Sequence, residues 1–301
     1  MINFKIIEQS DKKTIDICLT YNTVRTCDFC FTNLLAWRAK FQTAFAIIDE
    51  TLFIRYFDYS ENALCYIMPI GKMNLHNSLS LIIDDAKENN IKFLLKQITP
   101  EMWEKIDEMF PNIFHYQYDR DNDEYIYLSE KLIKLNGDKL QSKRNHINRF
   151  KKENSNWNYF SLSSENDLEE CSAMLDKWDN LNFDKAEKSL RYDYIATKIM
   201  LNNFHFLQLK GGAIRANGKI VAFTIGERLT DDTFVIHVEK AYCDMNGAYT
   251  IINQQFAEHE ASNFLYINRE EDMGLEYLRK AKMSYNPYIL LKKRVLTLHD
   301  K

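Results

Sequence analysis

The sequence is poor in the residues that interrupt regular structure, with eight glycines and four prolines among its 301 residues. Hydrophobic residues make up 46% of the chain and aromatic residues 13%. This composition excludes a disordered or low-complexity protein, because so many apolar side chains can bury a full core. No apolar run approaches the roughly 18 residues that span a bilayer, so we expect no transmembrane segment.

Cysteine usage and net charge exclude further classes. The six cysteines are scattered, and Cys27 and Cys30 form one CxxC pair without the second pair of ligands that a structural zinc site needs. We therefore expect reduced thiols and no metal. The net charge of -4 gives no overall attraction to nucleic acid or to membranes. The charged start of the chain is unlike a signal peptide, so we expect a cytoplasmic protein.

A chain of 301 residues is longer than one typical domain, so we expect two, over residues 1–130 and 131–301. Helical and strand patterns alternate in the first half, which indicates an α/β domain. In the second half, Asn217-Gly218 is a strong hairpin signal, because both turn positions need positive φ. A strand over Thr233 to Ala241 and a helix from Gly247 follow, and then strand, helix and strand.

The element order of the second half resembles an N-acetyltransferase domain. The predicted fold class is α/β (α+β), with two tandem domains of this kind whose mixed, mostly antiparallel sheets are flanked by helices. In that family the loop before the central helix binds coenzyme A pyrophosphate through free N-H groups. Here the matching donor-binding residues are Asn246, Gly247 and Ala248, but Asp244 stands where a basic or amide residue is usual. Alternatively, Gly247 simply begins a buried helix.

Several runs together resemble a known family. They are Lys143-Arg144-Asn145-His146, His237 to Ala241, Asn246 to Tyr249, Asn268 to Gly274 and Leu278 to Lys282, with Tyr285 and Pro287. These runs are similar to a bacterial family of unknown function related to the C-terminal, aminoacyl-transferring domain of phosphatidylglycerol lysyltransferases. The resemblance implies a transferase whose donor is an aminoacyl-tRNA rather than acetyl-coenzyme A. Members that act on lipid carry a membrane-embedded part, which this sequence does not show.

Glu239 is the first candidate for a catalytic base. Strand alternation puts Val235, His237 and Glu239 on one face, and we expect that face to line a cleft. There the Glu239 carboxylate would take a proton from an attacking amine, directly or through a water. The alternative is an ion pair of Glu239 with Lys240 or Arg269.

Two further residues are candidates for proton transfer. Glu227, one strand earlier, is a second candidate base. Tyr285 follows the last helix. It is either the acid that protonates the leaving group or an aromatic core residue whose hydroxyl contacts solvent. No Ser-His or Cys-His signature indicates a covalent intermediate, so we expect direct attack in a ternary complex.

The polar run after Phe264 is the second part of the predicted donor site. Its strand is expected to splay from its neighbour, so that the sheet parts near its middle and four polar side chains face the donor. These are Asn268, Arg269, Glu271 and Asp272. Two basic residues of the next helix, Arg279 and Lys282, either pair with Glu271 or Asp272 or hold an anionic substrate.

A basic run without acidic residues lies between Lys139 and Lys152. Within it, Lys143, Arg144 and Asn145 are candidates to bind phosphates of a tRNA or nucleotide, or the run is only a solvated helix face. The predicted function is acyl or aminoacyl transfer from an aminoacyl-tRNA or acyl-coenzyme A to an amine or hydroxyl. The alternative is a non-catalytic ligand-binding or RNA-binding module. The acceptor and the oligomeric state are not indicated.

Overall fold

The computed structural model describes residues 2–59, 61–182 and 188–299. By internal contacts the chain forms two compact units. The first unit contains Met1–Glu124, Glu271–Gly274 and Leu291–Lys301, and the second contains Tyr125–Glu270 and Leu275–Leu290. The sequence predicts a single boundary after residue 130, whereas contacts assign two later segments to the first unit.

The regular elements follow one another along the chain. The helices are α1 (Lys12–Leu19), α2 (Phe31–Ala36), α3 (Arg38–Phe41), α4 (Leu75–Glu88), α5 (Pro100–Met109), α6 (Ser129–Lys134), α7 (Gln141–Glu153), α8 (Glu165–Asn182), α9 (Lys188–Asn202), α10 (Ala248–Glu260) and α11 (Glu276–Met283). The strands are β1 (Lys5–Ile6), β2 (Ala44–Ile48), β3 (Thr51–Asp58), β4 (Ala63–Ile67), β5 (Ile70–Gly71), β6 (Leu95–Ile98), β7 (Phe114–Tyr118), β8 (Glu124–Leu128), β9 (Asn158–Ser161), β10 (Lys210–Ala216), β11 (Lys219–Arg228), β12 (Thr233–Ala241), β13 (Tyr266–Glu271), β14 (Ile289–Leu291) and β15 (Arg294–Leu298).

The sheet of the first unit has the order β1-β2-β3-β4-β6-β15-β7, with β5 paired to β3. Two apolar runs around Asp49-Glu50 predict a hairpin. The structure forms it from β2 and β3, and Asp49 and Glu50 have φ of 47° and 53°. Thr99-Pro100 predicts a helix start, and α5 begins there: the Thr99 hydroxyl accepts from the Met102 N-H at 3.4 Å and Pro100 is the first helical residue. Cys27 and Cys30 are buried free thiols, as expected.

The second sheet has the order β14-β8-β13-β12-β11-β10-β9. Asn217 and Gly218 have φ of 50° and 75°, which confirms the predicted hairpin between β10 and β11. The sequence pattern predicts the first hairpin strand from Phe204, but β10 begins only at Lys210. The reason is local hydrogen bonding, since N-H groups at 207–209 donate to carbonyls three to five residues earlier.

The sequence pattern predicts one last strand over Tyr288 to Leu296, but the structure has two strands there. β14 joins the second sheet and β15 joins the first, between β6 and β7. Strand structure is interrupted between them at Lys293, whose N-H donates to the Asp123 carboxylate at 3.3 Å instead of to a neighbouring strand. Three charged residues, Lys292, Lys293 and Arg294, separate two apolar runs there, and such a pattern does not by itself distinguish one strand from two.

The predicted fold class is confirmed. Each unit has a mixed, mostly antiparallel sheet with flanking helices. From β9 to β14 the order is strand, two helices, three antiparallel strands, helix, strand, helix and strand, which is the predicted acetyltransferase order.

The start of α10 is fixed by close packing against α7. Gly247 has φ of 83°, and a Cβ built on it would lie 2.3 Å from the His146 carbonyl oxygen. Only glycine fits both the left-handed backbone and this approach. The two helices are thereby held over a core that includes Phe150, Ile251 and Phe256.

We expect Gly247→Ala to destabilise the second unit more than Gly218→Ala. Gly218 also has positive φ, at 75°, but nothing lies within 4 Å of its virtual Cβ. The control therefore carries only the backbone cost of about 1 kcal/mol, whereas a clash with a main-chain oxygen adds at least ~2 kcal/mol at Gly247. Urea denaturation of both variants measures the difference, and equal losses would contradict the close packing.

Candidate functional site

The second sheet parts between β12 and β13. Their parallel pairing covers three residue pairs, Thr233 with Tyr266, Phe234 with Ile267 and Val235 with Asn268. Residues 236–241 of β12 lie beyond this register. The expected parting of the sheet is confirmed, and the side chains that follow the paired positions meet across the gap.

A bulge in β12 sits at the point where the strands separate. Ile225 of β11 pairs with Val238, but the next residue, Gly226, pairs with Ile236. His237 is therefore an extra residue in β12 without an opposite partner. Such an insertion reverses the alternation of side chains along the strand.

The bulge moves Glu239 to the opposite face from the one predicted. Its carboxylate accepts from the Asn253 side-chain amide of α10 at 2.9 Å, so Glu239 faces α10. The expectation that Val235, His237 and Glu239 share a face is therefore wrong. Regular alternation assumes that every residue has a partner, and His237 has none in the register.

Glu239 belongs to a group that we call the cation–aromatic cluster. Its members are Lys143, Glu239, Asn253, Arg269, Tyr127 and Tyr285. The Arg269 Nη2 donates to Glu239 Oε1 at 2.9 Å, which is one of the two ion pairs considered for Glu239. Two cations lie against the Tyr285 ring, with Lys143 Nζ 4.0 Å and the Arg269 guanidinium 4.8 Å from its centroid.

Two polar atoms of this cluster lack a protein partner. Asn253 Oδ1 and Arg269 Nη1 are both buried, and no donor or acceptor of the described residues satisfies them. The side chains of Glu239 and Arg269 remain 13% and 9% exposed, so the cluster reaches solvent. Buried polar groups in proteins are nearly always paired, and an orphan donor beside an orphan acceptor favours a ligand with complementary groups.

Burial shifts two titrations in the cluster. Burial, followed by the Arg269 charge, lowers the pKa of Lys143 to about 8 against the opposing effect of Glu239. Burial raises the pKa of Tyr285 to about 12. At neutral pH Tyr285 is thus a hydrogen-bond donor, while a fraction of Lys143 is a neutral amine.

A second group, which we call the histidine bridge, lies on the other face of the sheet. His237 Nδ1 is 2.8 Å from Glu270 and Nε2 is 3.0 Å from Glu227. Glu227 pairs with Val235, whose face is opposite to that of Glu239. Burial lowers the pKa of His237, but the hydrogen bonds that the charged ring donates to the two carboxylates outweigh it and raise the pKa to about 9. Glu227, the second predicted base, is therefore bound to a charged histidine.

The structure places the three predicted phosphate-binding residues of α7 in different surroundings. Arg144 is bound locally, with its Nη1 donating to the Gly137 carbonyl at 2.9 Å, while Asn145 is exposed and accepts from the Gln141 amide at 2.9 Å. Only Lys143 enters the cluster. At the start of α10 the Ala248 N-H donates to the Met245 carbonyl at 3.1 Å, and the preceding Asn246 is exposed. The donor-binding roles of Asn246, Gly247 and Ala248 stay predictions.

The predicted donor-site residues at the end of β13 also lie in different places. Arg269 enters the cluster, whereas Asn268 is buried and accepts from the Glu270 N-H at 2.7 Å. Glu271 and Asp272 belong to the first unit, where they lie near Cys27 and Arg120.

Lys282 makes two main-chain contacts that neither alternative includes, and both alternatives stay predictions. Its Nζ donates to the main-chain carbonyls of Arg269 at 2.6 Å and Glu270 at 3.2 Å, which holds the free end of β13. Arg279 is partly buried on α11, and its predicted role stays open.

Two members of the cluster have no counterpart among the predicted residues. Asn253 lies in α10 between Ile252 and Phe256, both fully buried. An amide on the apolar face of a helix is a signal that the sequence does carry. Tyr127 gives no such signal, because a tyrosine in a buried strand is ordinary.

The sequence profile of the phosphatidylglycerol lysyltransferase C-terminal family matches residues 22–296. The chain belongs to this family. Membership and the fold support an acyltransferase. The sequence runs that resemble this family include Lys143, Arg269 and Tyr285, three members of the cation–aromatic cluster.

Three solved structures are similar to the chain. A crystal structure of a conserved protein of unknown function from Bacteroides thetaiotaomicron is 37% identical, covers 99% of this chain and 100% of that one, and has a TM-score of 0.92. L-PGS from Bacillus licheniformis is 14% identical, with coverage of 99% and 95% and a TM-score of 0.65. The C-terminal domain of a putative lysylphosphatidylglycerol synthetase from Agrobacterium fabrum is 11% identical, with coverage of 96% and 92% and a TM-score of 0.67. The last two share the fold.

One curated relative is an uncharacterized protein of Mycoplasmoides gallisepticum, 26% identical over 172 residues. The match covers 56% of this chain and 54% of that protein, so the chain spans about half of the relative's length. Within the described residues, none of the helices is long and apolar enough to cross a membrane.

The histidine bridge predicts a pH-dependent stability. A pKa raised from 6.5 to about 9 means that the stabilisation by charged His237 is complete below pH 6.5 and is lost as the pH rises through 9. We expect this group to contribute on the order of 3 kcal/mol to the fall in unfolding free energy across that window. Urea denaturation from pH 6.5 to 9 measures it. The fall in unfolding free energy should disappear in His237→Gln and remain in His259→Gln, a control at an exposed histidine of α10. A fall that persists in His237→Gln would contradict the assignment.

Proposed function

We propose that the protein transfers an acyl group from an activated carbonyl donor to an amine or hydroxyl, at the cation–aromatic cluster. The donor that the proposal favours is an aminoacyl-tRNA, with acyl-coenzyme A as the other candidate. The observation that carries this proposal is the unsatisfied pair of Arg269 Nη1 and Asn253 Oδ1 beside Glu239, in the gap between β12 and β13.

The unsatisfied atoms match the chemistry of an aminoacyl ester. A carbonyl oxygen accepts from Arg269 Nη1, and this bond strengthens as the oxygen becomes negative during attack. An α-amino group donates to Asn253 Oδ1. A simple acetyl group has the carbonyl but no donor for Asn253, which is why the aminoacyl donor is preferred.

Glu239 and Tyr285 support this arrangement in different ways. Glu239 binds the Arg269 guanidinium with one oxygen and the Asn253 amide with the other, so it orients both groups. Because Tyr285 stays protonated at neutral pH, its hydroxyl is available to hydrogen-bond a leaving oxygen. The attack is direct, and no enzyme nucleophile is required.

The helix that supplies Lys143 also presents cations to solvent. Lys139, Lys151 and Lys152 are exposed at or near α7. They provide a local positive surface for the phosphates of an RNA donor in a protein whose net charge is -4.

Transfer assays with different donors test the proposal. Purified protein is incubated with aminoacyl-tRNAs carrying radiolabelled amino acids, or with labelled acetyl-coenzyme A. The acceptors are hydroxylamine, as a general amine, and vesicles containing phosphatidylglycerol, the lipid named for the family. Enzyme-dependent label on an acceptor supports the proposal. Binding of aminoacyl-tRNA without transfer to either acceptor, unchanged in Glu239→Gln, favours the non-catalytic binding module instead.

We expect Arg269→Lys to lower kcat for transfer about 10²-fold, because lysine keeps the charge but loses the fork that serves both Glu239 and the carbonyl oxygen. The matched control is Arg228→Lys, since Arg228 is an exposed arginine of β11 that pairs with Asp231. Steady-state kinetics with the active donor measures both. Equal rates for the two variants would remove Arg269 from the reaction.

Replacing Lys139, Lys151 and Lys152 together with glutamine should weaken binding of aminoacyl-tRNA and flatten its dependence on salt by about two in the log–log slope, because fewer counterions are released. The control replaces three exposed lysines of the first unit, Lys13, Lys87 and Lys105. Filter binding between 50 and 300 mM salt, roughly the range over which such slopes are resolved, gives the two slopes. Identical slopes would dismiss the α7 surface as an RNA contact.

A further inference from the structure

The proposed reaction leaves one requirement that Glu239 does not meet. An amine or hydroxyl that attacks a carbonyl must lose a proton, so a base is needed beside the attacking atom. Both oxygens of Glu239 already accept hydrogen bonds, one from the Arg269 guanidinium and one from the Asn253 amide, each at 2.9 Å. Both oxygens are therefore already engaged in positioning Arg269 and Asn253.

The contacts of Lys143 differ from those of Glu239. Its amino group lies 4.0 Å from the centroid of the Tyr285 ring, on the ring that also carries the Arg269 guanidinium. Arg269 takes the nearby carboxylate, and in the part of the chain that the structure describes Lys143 forms no ion pair of its own. The result is an amine on an aromatic ring that a second cation also contacts, in the cluster that contains the two unsatisfied polar atoms.

We propose that Lys143 is the general base that takes the proton from the attacking amine or hydroxyl. This inference rests on the proposed function, since it assigns a role within that reaction. It replaces the phosphate-binding role expected for Lys143 and gives Glu239 the role of a positioning residue that acts through Arg269.

The proton and the electrons balance without a further reactant. The lone pair of the acceptor nitrogen or oxygen forms the new bond to the carbonyl carbon, and its proton passes to the Lys143 amine. As the tetrahedral species collapses, the bond from carbon to the donor's ester oxygen breaks. That oxygen takes the proton back from the Lys143 ammonium, which restores the neutral amine for the next turnover.

The surroundings of Lys143 favour the neutral amine. The charged groups that face it are Arg269 from β13, which opposes a second positive charge, and Glu239 from β12, which favours one. Tyr285 lies against it as a neutral ring. Burial adds to the effect of Arg269, and the pKa of about 8 is close to the working range of a general base.

Lys143→Arg separates a base from a cationic binding residue. Arginine keeps the positive charge and can stack on Tyr285, but it does not lose its proton near neutral pH. We expect kcat to fall about 10²- to 10⁴-fold while the Kd for the donor changes little. The wild-type rate should rise with pH to a plateau above about 8, and this limb should be absent in the variant. Lys131→Arg, at an exposed position of α6, is the control.

A second measurement does not depend on activity. Trace acetylation of lysines as a function of pH, read by mass spectrometry, gives the titration midpoint of each amine, with exposed Lys131 as the internal standard. We expect a midpoint about two units below the 10.4 of an ordinary lysine for Lys143. The melting temperature of Lys143→Arg verifies that the variant is folded.

The possible failures are distinguishable. Transfer retained in Lys143→Arg, or a Lys143 midpoint at the ordinary value in active protein, overturns the base assignment and leaves the proposed function standing. No transfer by wild-type protein from any donor overturns the proposed function and the base assignment together.

Discussion

The one-residue bulge at His237 is the constraint on which the candidate site depends. Without it, Glu239 would lie on the face of Val235 and would not meet Asn253 or Arg269. The bulge also coincides with the end of the pairing between β12 and β13. One extra residue thus produces two polar groups on opposite faces of a single gap, the cation–aromatic cluster and the histidine bridge.

The two groups differ in what they leave unsatisfied. In the histidine bridge both ring nitrogens of His237 have carboxylate partners, so the bridge connects β11 and β12 to β13 just beyond the last paired residues of β12 and β13. Lys282 adds to this by binding two carbonyls of β13. The cation–aromatic cluster, in contrast, keeps a donor and an acceptor without partners. A rigid support on one face is what allows such groups to persist on the other.

Local chemistry predicted most of the fold. The turn at Asn217-Gly218, the cap at Thr99 and the apolar periodicities all depend on near neighbours in sequence, and the structure agrees with them. The features that the sequence did not predict depend on residues far away in the chain. The bulge is defined by a register with β11, and the transfer of β15 to the first sheet follows from pairing with β6 and β7. Within the site, Glu239, Arg269, Tyr285 and Lys143 were all singled out from the sequence, and the Glu239–Arg269 ion pair was one of the alternatives considered. The contacts of Glu239 with Asn253 and of the two cations with Tyr285 were not predicted.

The energetic cost of the cluster argues that it is more than a structural accident. An unsatisfied buried polar group costs about 1 to 3 kcal/mol, and Arg269 Nη1 and Asn253 Oδ1 each carry that cost. An apolar residue in place of Asn253, between Ile252 and Phe256 on the packed side of α10, would avoid it. A group that accepts from Arg269 Nη1 and donates to Asn253 Oδ1 would remove this cost. A carbonyl beside an amine has both functions, which is the chemistry that the proposed aminoacyl donor would bring to the cluster.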